Sequence, residues 1–300
     1  MKPKVTIGVC VKNGASTIQE AIDSIINQDF PREFMELIVV DGYSEDKTLS
    51  IVEESMKDTE IKSRIFCENK GLGYARQMVV DNAEGNYIVW VDGDMVISED
   101  YVSKLVGLME RHPELGIAKG KQAWESRNLL GTLEACSRAA GKMVDYSSEK
   151  ARSKSLGTSG SIYRIEAVRQ VGGFDANLRG YCEDWDLDIR VRAAGWSLRT
   201  IDAKFLDYER RGLTWKNLWS RYWRRGYDTH FFLHKNRGLL KHYRMFPPAA
   251  FLSGLLHVHT LYKLTHAKKV FLLPFQYVFK MTAWYVGFIR SHLDSYEPGL

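Results

Sequence analysis

Tyr87-Ile-Val-Trp-Val-Asp-Gly-Asp94 decides how this chain is read: five strand-forming residues run directly into two carboxylates separated by one glycine. An unbroken run of β-branched and aromatic residues suits a strand buried on both faces. Asp and Gly then end it, as ordinary turn residues do. Paired oxygen donors at the mouth of a strand also suit a hard divalent cation, Mg²⁺ or Mn²⁺, which keeps coordination positions for a substrate's phosphates. A second acidic cluster, Glu183-Asp184 followed by Trp185-Asp186-Leu187-Asp188, strengthens the metal reading.

Outward from this stretch the pattern is regular. Residues 5–11 read as a buried strand, and 15–27 place Ile18, Ala21, Ile22, Ile25 and Ile26 at helical spacing. A strand over 37–40 ends at Asp41, a helix follows over 44–57, then a strand over 61–67 and a helix over 74–83. Ser98 is placed to cap a helix through Arg111, which His112-Pro113 stops. A strand over 117–122 and a helix over 129–144 come next, then a small-residue loop over 157–161, a strand over 162–164 with a short helix to 171, and a helix over 184–194. Alternation of this kind predicts an α/β fold, a mainly parallel sheet with helices on both faces. Ligands of such sheets sit at the carboxyl ends of the strands, where Asn13, Asp41 and Asp92 fall.

Three hundred residues with 45% apolar content are enough for a substantial core. The net charge of +5 hides an asymmetry: from Lys204 onward there are 16 Lys and Arg against 5 Asp and Glu. Basic residues mixed with tryptophan and flanked by apolar runs fit anionic lipid better than nucleic acid, so no nucleic-acid partner is expected. Cys10, Cys67, Cys136 and Cys182 are scattered without paired spacing, which argues against zinc and against a disulfide framework. The first apolar stretch is too short for a signal sequence, so the catalytic part is expected in the cytosol.

After residue 205 the texture changes. Trp215, Leu218, Trp219, Tyr222 and Trp223 recur at helical spacing with Lys216, Arg221, Arg224 and Arg225 between them, as in an interfacial amphipathic helix. Two apolar runs, 245–262 and 270–289, each have about the length of a bilayer crossing, although His257, His259 and Lys280 interrupt them. The expected organisation is a catalytic domain over 1–205, basic aromatic interfacial helices over 206–244, and a membrane-associated helical hairpin over 245–300. Spanning and surface-lying arrangements of that hairpin both remain open, as does the oligomeric state.

Five blocks in order carry a family resemblance: Val39-Val-Asp-Gly-Tyr-Ser-Glu-Asp-Lys-Thr48, Asn69-Lys-Gly-Leu-Gly-Tyr-Ala-Arg76, Glu84 through Asp94, Gly172-Gly-Phe-Asp175, and Glu183-Asp-Trp-Asp-Leu187. Over roughly residues 5 to 200 the chain resembles the family-2 inverting glycosyltransferases of GT-A fold. The resemblance implies a nucleotide-diphosphate sugar as donor, Asp41 on the nucleotide base, and Asp184 as general base with Glu183 orienting the acceptor. Asp92 and Asp94 are expected to hold the Mn²⁺ or Mg²⁺ that bridges the diphosphate. Arg76 has the fork geometry that suits an oxyanion, and Asn13, Gly160, Arg224 and Arg225 complete the candidate donor contacts. Asp186 and Asp188 are expected to face solvent or cap helix amides.

The tail implies a lipid-linked acceptor at the cytosolic membrane face. GDP-mannose is the favoured donor through similarity to polyprenyl-linked mannosyltransferases, with UDP-sugars the alternative. Ser220-Arg-Tyr-Trp-Arg-Arg-Gly226 is only a loose relative of the Gln-x-x-Arg-Trp motif of processive members, which argues against a polymer synthase. Two other readings compete. A sugar-1-phosphate nucleotidyltransferase should carry a Gly- and Arg-rich loop after the first strand, of which Lys12-Asn-Gly14 is a poor version. The third is a catalytically silent, membrane-tethered nucleotide-sugar-binding module.

Overall fold

The computed structural model describes residues 4–57, 59–123, 128–141, 154–207, 213–238 and 245–295. In chain order the elements are β1 (Val5–Val11), α1 (Ile18–Ile26), β2 (Met35–Asp41), α2 (Thr48–Met56), β3 (Lys62–Cys67), α3 (Leu72–Asn82), β4 (Tyr87–Trp90), β5 (Met95–Ile97) and α4 (Tyr101–Arg111). There follow β6 (Leu115–Ala123), α5 (Leu129–Gly141), β7 (Ser161–Arg164), α6 (Ile165–Gln170), α7 (Glu183–Ala193), β8 (Ser197–Asp207), α8 (Trp215–Lys235), α9 (Pro247–Thr265) and α10 (Leu273–Leu293). The chain divides into two compact units. Met1–Ala123, Tyr146–Arg179 and Glu183–Tyr208 form the first; Trp124–Asp145, Gly180–Cys182 and Glu209–Leu300 form the second.

The first unit is built on one sheet in the order β3-β2-β1-β4-β7-β6-β8-β5. β3, β2, β1 and β4 are mutually parallel neighbours, as the βαβ alternation requires. Beyond β4 the sheet is mixed, because β7 runs antiparallel to both β4 and β6, and β5 antiparallel to β8. The expectation of a mainly parallel sheet therefore holds for its first half. β5 and β8 were not anticipated: β5 is only the three residues Met95-Val-Ile97, and β8 shows water along much of its length and carries no apolar run.

Side-chain alternation on the central strands explains the two-faced core. Leu37 and Val39 of β2 join a cluster with Ile22 and Ile25 of α1 and Leu105 of α4. Ile38 and Val40, one residue out of phase, join Val79 of α3 and Leu187 and Val191 of α7 on the other face. Complete burial of each such aliphatic side chain contributes about 1.5–3 kcal/mol. α2 starts at Thr48, later than the expected 44, because the preceding residues form a side-chain-bonded turn. Ser44 N–H donates to Asp41 Oδ2 at 2.8 Å, and Thr48 N–H donates to Asp46 Oδ1 at 3.0 Å.

The second unit is helical. α8 and α10 cross with their backbones in direct approach: a Cβ on Gly226 would collide with the Trp284 carbonyl, and one on Gly287 with the Trp223 carbonyl. Only glycine fits at both points of this crossing. At its centre Lys280, 3% exposed, lies 3.0 Å from Glu134 Oε2, and Gln276 and Tyr222 donate to the same carboxylate. Lys280, expected to interrupt an apolar run, is thus an interior ion-pair partner. The expected helix over 129–144 is seen as Leu129–Gly141, its last three residues lying outside the described ones. Among the described residues no helix is long and apolar enough to cross a membrane.

Asp228, also in this unit, accepts a hydrogen bond from the Tyr181 backbone, yet burial pushes its carboxyl up to about 7. An unfolded Asp titrates near ~4. The folded state therefore holds the proton more tightly, so this group's contribution is present below pH ~4 and is lost as pH rises through 7. Relative to the parent, Asp228→Asn should flatten the fall in urea midpoint between pH 4.5 and 7.5; parallel pH profiles would contradict the assignment.

Candidate active site

The carboxyl ends of β1, β2 and β3 open onto a cleft of about 250 Å³ lined by residues including Lys12, Gly42, Glu68, Asn69, Gly71 and Arg179. Glu68 Oε2 accepts from the N–H groups of Lys70 and Gly71 at 2.6 and 3.0 Å, which fixes the turn into α3. The first amides of α3 are already satisfied: Leu72 N–H donates to Arg179 O at 2.6 Å and Gly73 N–H to Leu178 O at 3.1 Å. A Cβ on Gly71 or Gly73 would run into this 175–179 segment. The two glycines therefore serve close backbone packing and form no phosphate cradle. Cys10, on the cleft wall, has its thiol pushed up to about 12 by burial, against the opposing pull of Arg76, so it is held as an inert thiol.

Beside the cleft, the loop between β4 and β5 carries Asp92 and Asp94, both half-buried. The turn that precedes β7 reaches two acidic sites through consecutive residues. Ser159 Oγ donates to Asp92 Oδ2, while Thr158 N–H donates to Asp184 Oδ2 at 3.3 Å. Arg76 of α3 closes the arrangement. Its guanidinium pairs with Glu183, and its Nη2 lies 3.9 Å from Asp92 Oδ1. Asp92 and Asp184 thus belong to one hydrogen-bonded group drawn from β4, the 157–161 turn and the start of α7. Asp184 also stands at a helix N-terminus, which favours negative charge.

Several expected roles are revised by burial. Arg76, expected on a phosphate or base, is 6% exposed and engaged with Glu183 and Asp92, so it ties carboxylates together. Glu183, expected to orient the acceptor, is 2% exposed and paired with Arg76, its Oε2 buried without a hydrogen bond. Gly160 is wedged under Tyr101 and Phe205 with its carbonyl accepting the Tyr101 hydroxyl at 2.5 Å; its neighbour Ser159 makes the site contact. Asp186 and Asp188, expected to face solvent or cap helix amides, are fully buried. Asp186 pairs with Arg190 at 2.8 Å. Asp188 accepts from Ser155 Oγ, the Leu156 and Gly157 N–H groups and the Tyr163 hydroxyl, at 2.6 to 3.0 Å. Burial pushes its carboxyl above the ordinary Asp value, and these donors oppose that rise.

The remaining candidates are placed as follows. Asn13 is exposed at the end of β1 in left-handed backbone, its Oδ1 accepting Glu45 N–H at 2.9 Å. Asp41 is 2% exposed and accepts both the backbone N–H and the hydroxyl of Ser44. Arg224 and Arg225 lie on α8 of the second unit, Arg225 over the rings of Tyr181 and Tyr222. Sequence reasoning expected the 157–161 loop to line the pocket but singled out neither Ser159 within it nor the inward role of Asp188. The i, i+4 spacing of Asp184 and Asp188 on one helix face was the available signal.

A divalent ion fits the donor set. Asp92 and Asp94 are hard oxygen ligands, with the Asp92 side chain 35% exposed. No group of three or more His, Cys, Asp or Glu among the described residues is placed to hold a metal. Two carboxylates completed by substrate phosphates match the way Mg²⁺-type sites are built.

The arrangement defines a GT-A-type sugar-nucleotide fold. Residues 6–136 match the glycosyl transferase family 2 model and residues 87–290 that of glycosyl transferase family group 2. The chain belongs to this glycosyltransferase family. Among solved structures, the mannosyltransferase PcManGT from Pyrobaculum calidifontis, in complex with GDP-Man and Mn²⁺, aligns at TM-score 0.68 with 18% identity, over 99% of this chain and 89% of that one. TarS 1-349 of Staphylococcus aureus in complex with UDP aligns at TM-score 0.53 with 17% identity, over 98% and 92%. In sequence, the poly-beta-1,6-N-acetyl-D-glucosamine synthase of Staphylococcus epidermidis is 26% identical over 68% of this chain. The TarS poly(ribitol-phosphate) beta-N-acetylglucosaminyltransferase is 31% identical over 36%. The chain spans 47% of the length of the first relative and 19% of the second.

Asp188→Ala should cost on the order of 3 kcal/mol, because its buried donors lose a charged acceptor together. Asp188→Asn should cost less. Urea unfolding at pH 7 measures both, and an Ala variant as stable as the parent would remove Asp188 from the framework of the site.

Proposed function

We propose that the protein is an inverting, divalent-cation-dependent glycosyltransferase that moves a hexose from a nucleoside-diphosphate sugar to a lipid-linked acceptor at the cytosolic membrane surface. The observation that carries the reading is the pair of consecutive residues, Thr158 on Asp184 and Ser159 on Asp92. These bonds support a reading in which Asp184, the proposed proton acceptor, and Asp92, the proposed cation ligand, serve one site. In the proposed step the acceptor hydroxyl oxygen bonds to the anomeric carbon on the face opposite the diphosphate. The carbon–oxygen bond to the diphosphate breaks, and Asp184 takes the hydroxyl proton. Asp92 and Asp94 would hold a Mn²⁺ or Mg²⁺, which would supply Lewis-acid stabilisation to the departing diphosphate. The 250 Å³ cleft at the ends of β1, β2 and β3 is the proposed nucleoside site. Arg76 positions Asp92 and Glu183 and stays out of the bond-making itself.

GDP-mannose is the favoured donor, supported by the GDP-Man held in the PcManGT structure. UDP-N-acetylglucosamine is the competing donor, supported by the sequence relatives named as N-acetylglucosamine enzymes. The lipid acceptor is supported by the basic, apolar tail, where residues 229–293 contain nine Lys and Arg and no Asp or Glu.

Release of nucleoside diphosphate should be assayed from both donors with Mn²⁺ and a polyprenyl-linked acceptor, with turnover expected from one of them. Asp184→Asn should lower turnover at least ~100-fold, as loss of a general base does, while the thermal upshift given by donor and Mn²⁺ is retained. Asp92→Asn should lose the Mn²⁺-dependent part of that upshift. No diphosphate release from either donor, or full activity in Asp184→Asn, would defeat the proposal.

A further inference from the structure

α10 buries polar side chains among apolar ones and exposes an apolar stripe. Its buried face carries Gln276, Lys280 and Ser291, each at most 3% exposed. Its outward stripe carries Phe275, Val286, Ile289 and Leu293, between 44 and 70% exposed. A helix packed in water rarely leaves so many large apolar groups outward while polar ones are buried. The arrangement has a local cause, since Lys280 and Gln276 turn inward to the Glu134 carboxylate at 3.0 and 3.3 Å, and Gly287 must face α8. α9 continues the outward surface with Leu252 and Leu256, 61 and 79% exposed, and the Phe251 and Phe275 rings meet edge on at 5.7 Å. Ten of the thirteen exposed large apolar side chains among the described residues fall within 246–293. Concentration on that scale marks an interaction surface.

The charge pattern selects the partner. Lys263, Lys268 and Lys269 cluster where α9 gives way to α10 and no carboxylate occurs between 229 and 293, while Arg290 near the far end is paired with Asp294 at 3.0 Å. A protein partner is met with charges of both signs, whereas an apolar face with a lysine cluster at its edge suits anionic headgroups. The surface is also one-sided. α8, packed behind α10, exposes Lys216 and Arg224 to water, and α9 exposes His257 and His259 beside its leucines. We infer that the outward face of α9 and α10 lies flat in the headgroup and acyl boundary of an anionic bilayer, with both helices in the membrane plane. This inference deepens the membrane-surface part of the proposed function and does not rest on the sugar-transfer step.

Flotation of the full chain tests it without any activity assay. The protein should float with phosphatidylcholine vesicles containing 30% phosphatidylglycerol and much less with phosphatidylcholine alone, and 0.5 M NaCl should weaken the association. The triple variant Leu256→Glu, Phe275→Glu, Leu293→Glu, all at exposed positions, should lose at least ~10-fold in vesicle partitioning, with circular dichroism and thermal midpoint near the parent's. Bound protein should transfer to unlabelled acceptor vesicles in a chase, because an in-plane helix pair leaves the bilayer far more readily than a spanning one. Failure to float, or floating unaffected by the triple variant, would overturn the inference. Irreversible retention in the donor vesicles would overturn the in-plane arrangement. Dimerisation in light scattering that the same variant abolishes, without vesicle binding, would assign the face to a second copy instead.

Discussion

A guanidinium sealed inside the first unit is the constraint on which the site depends. Arg76 is held between Glu183, at the start of α7, and Asp92, after β4. Two charges so far from water keep their places only if each compensates the other, since removing one leaves the remaining charge stranded at a cost of several kcal/mol. Glu183 sits on the same helix turn as Asp184, and Asp92 on the same strand end as Asp94. Neutralising the interior therefore fixes where the outward-facing carboxylates of both segments stand. Such a pair adds little stability over apolar packing; its contribution is position.

The turn before β7 applies the same logic with hydrogen bonds. Asp188 reaches up from the second turn of α7 and takes the amides of Leu156 and Gly157, so the turn is pinned from below before Thr158 and Ser159 reach the two acidic sites. Three carboxylates of α7 thus differ in task according to depth. Asp188 and Glu183 are structural anchors within the site, and Asp184, partly exposed, is the one that remains accessible to a substrate.

The first half of the sheet was legible because its strands are unbroken apolar runs separated by helices of clear periodicity, and the acidic pairs were legible as dipeptides. What the sequence hid was depth. The stretch Glu183-Asp-Trp-Asp-Leu-Asp188 looks like a solvated face, since nothing local shows that a Tyr hydroxyl, a Ser hydroxyl and two amides converge on its last residue. Ser159 was hidden in a run of small residues where Gly160 drew notice for its lack of a side chain. β5 was hidden because the three residues Met95-Val-Ile97 are too few to read as a strand, and β8 because its apolar residues are scattered among exposed polar ones. In the tail, Lys280 read as a flaw in an apolar segment, while its partner Glu134 lies 146 positions away.

The glycine crossing of α8 and α10 has a mechanical corollary. Gly226 and Gly287 each receive the other helix's main chain, so the two rods are notched together at two points. Ridges of ordinary side chains can ratchet past one another by a turn, but a main chain seated in a notch has no neighbouring notch to move to. The pair is thereby stiff against sliding along its length and free only to bend at its ends. A load taken up anywhere on α10 is delivered to α8 at full stroke.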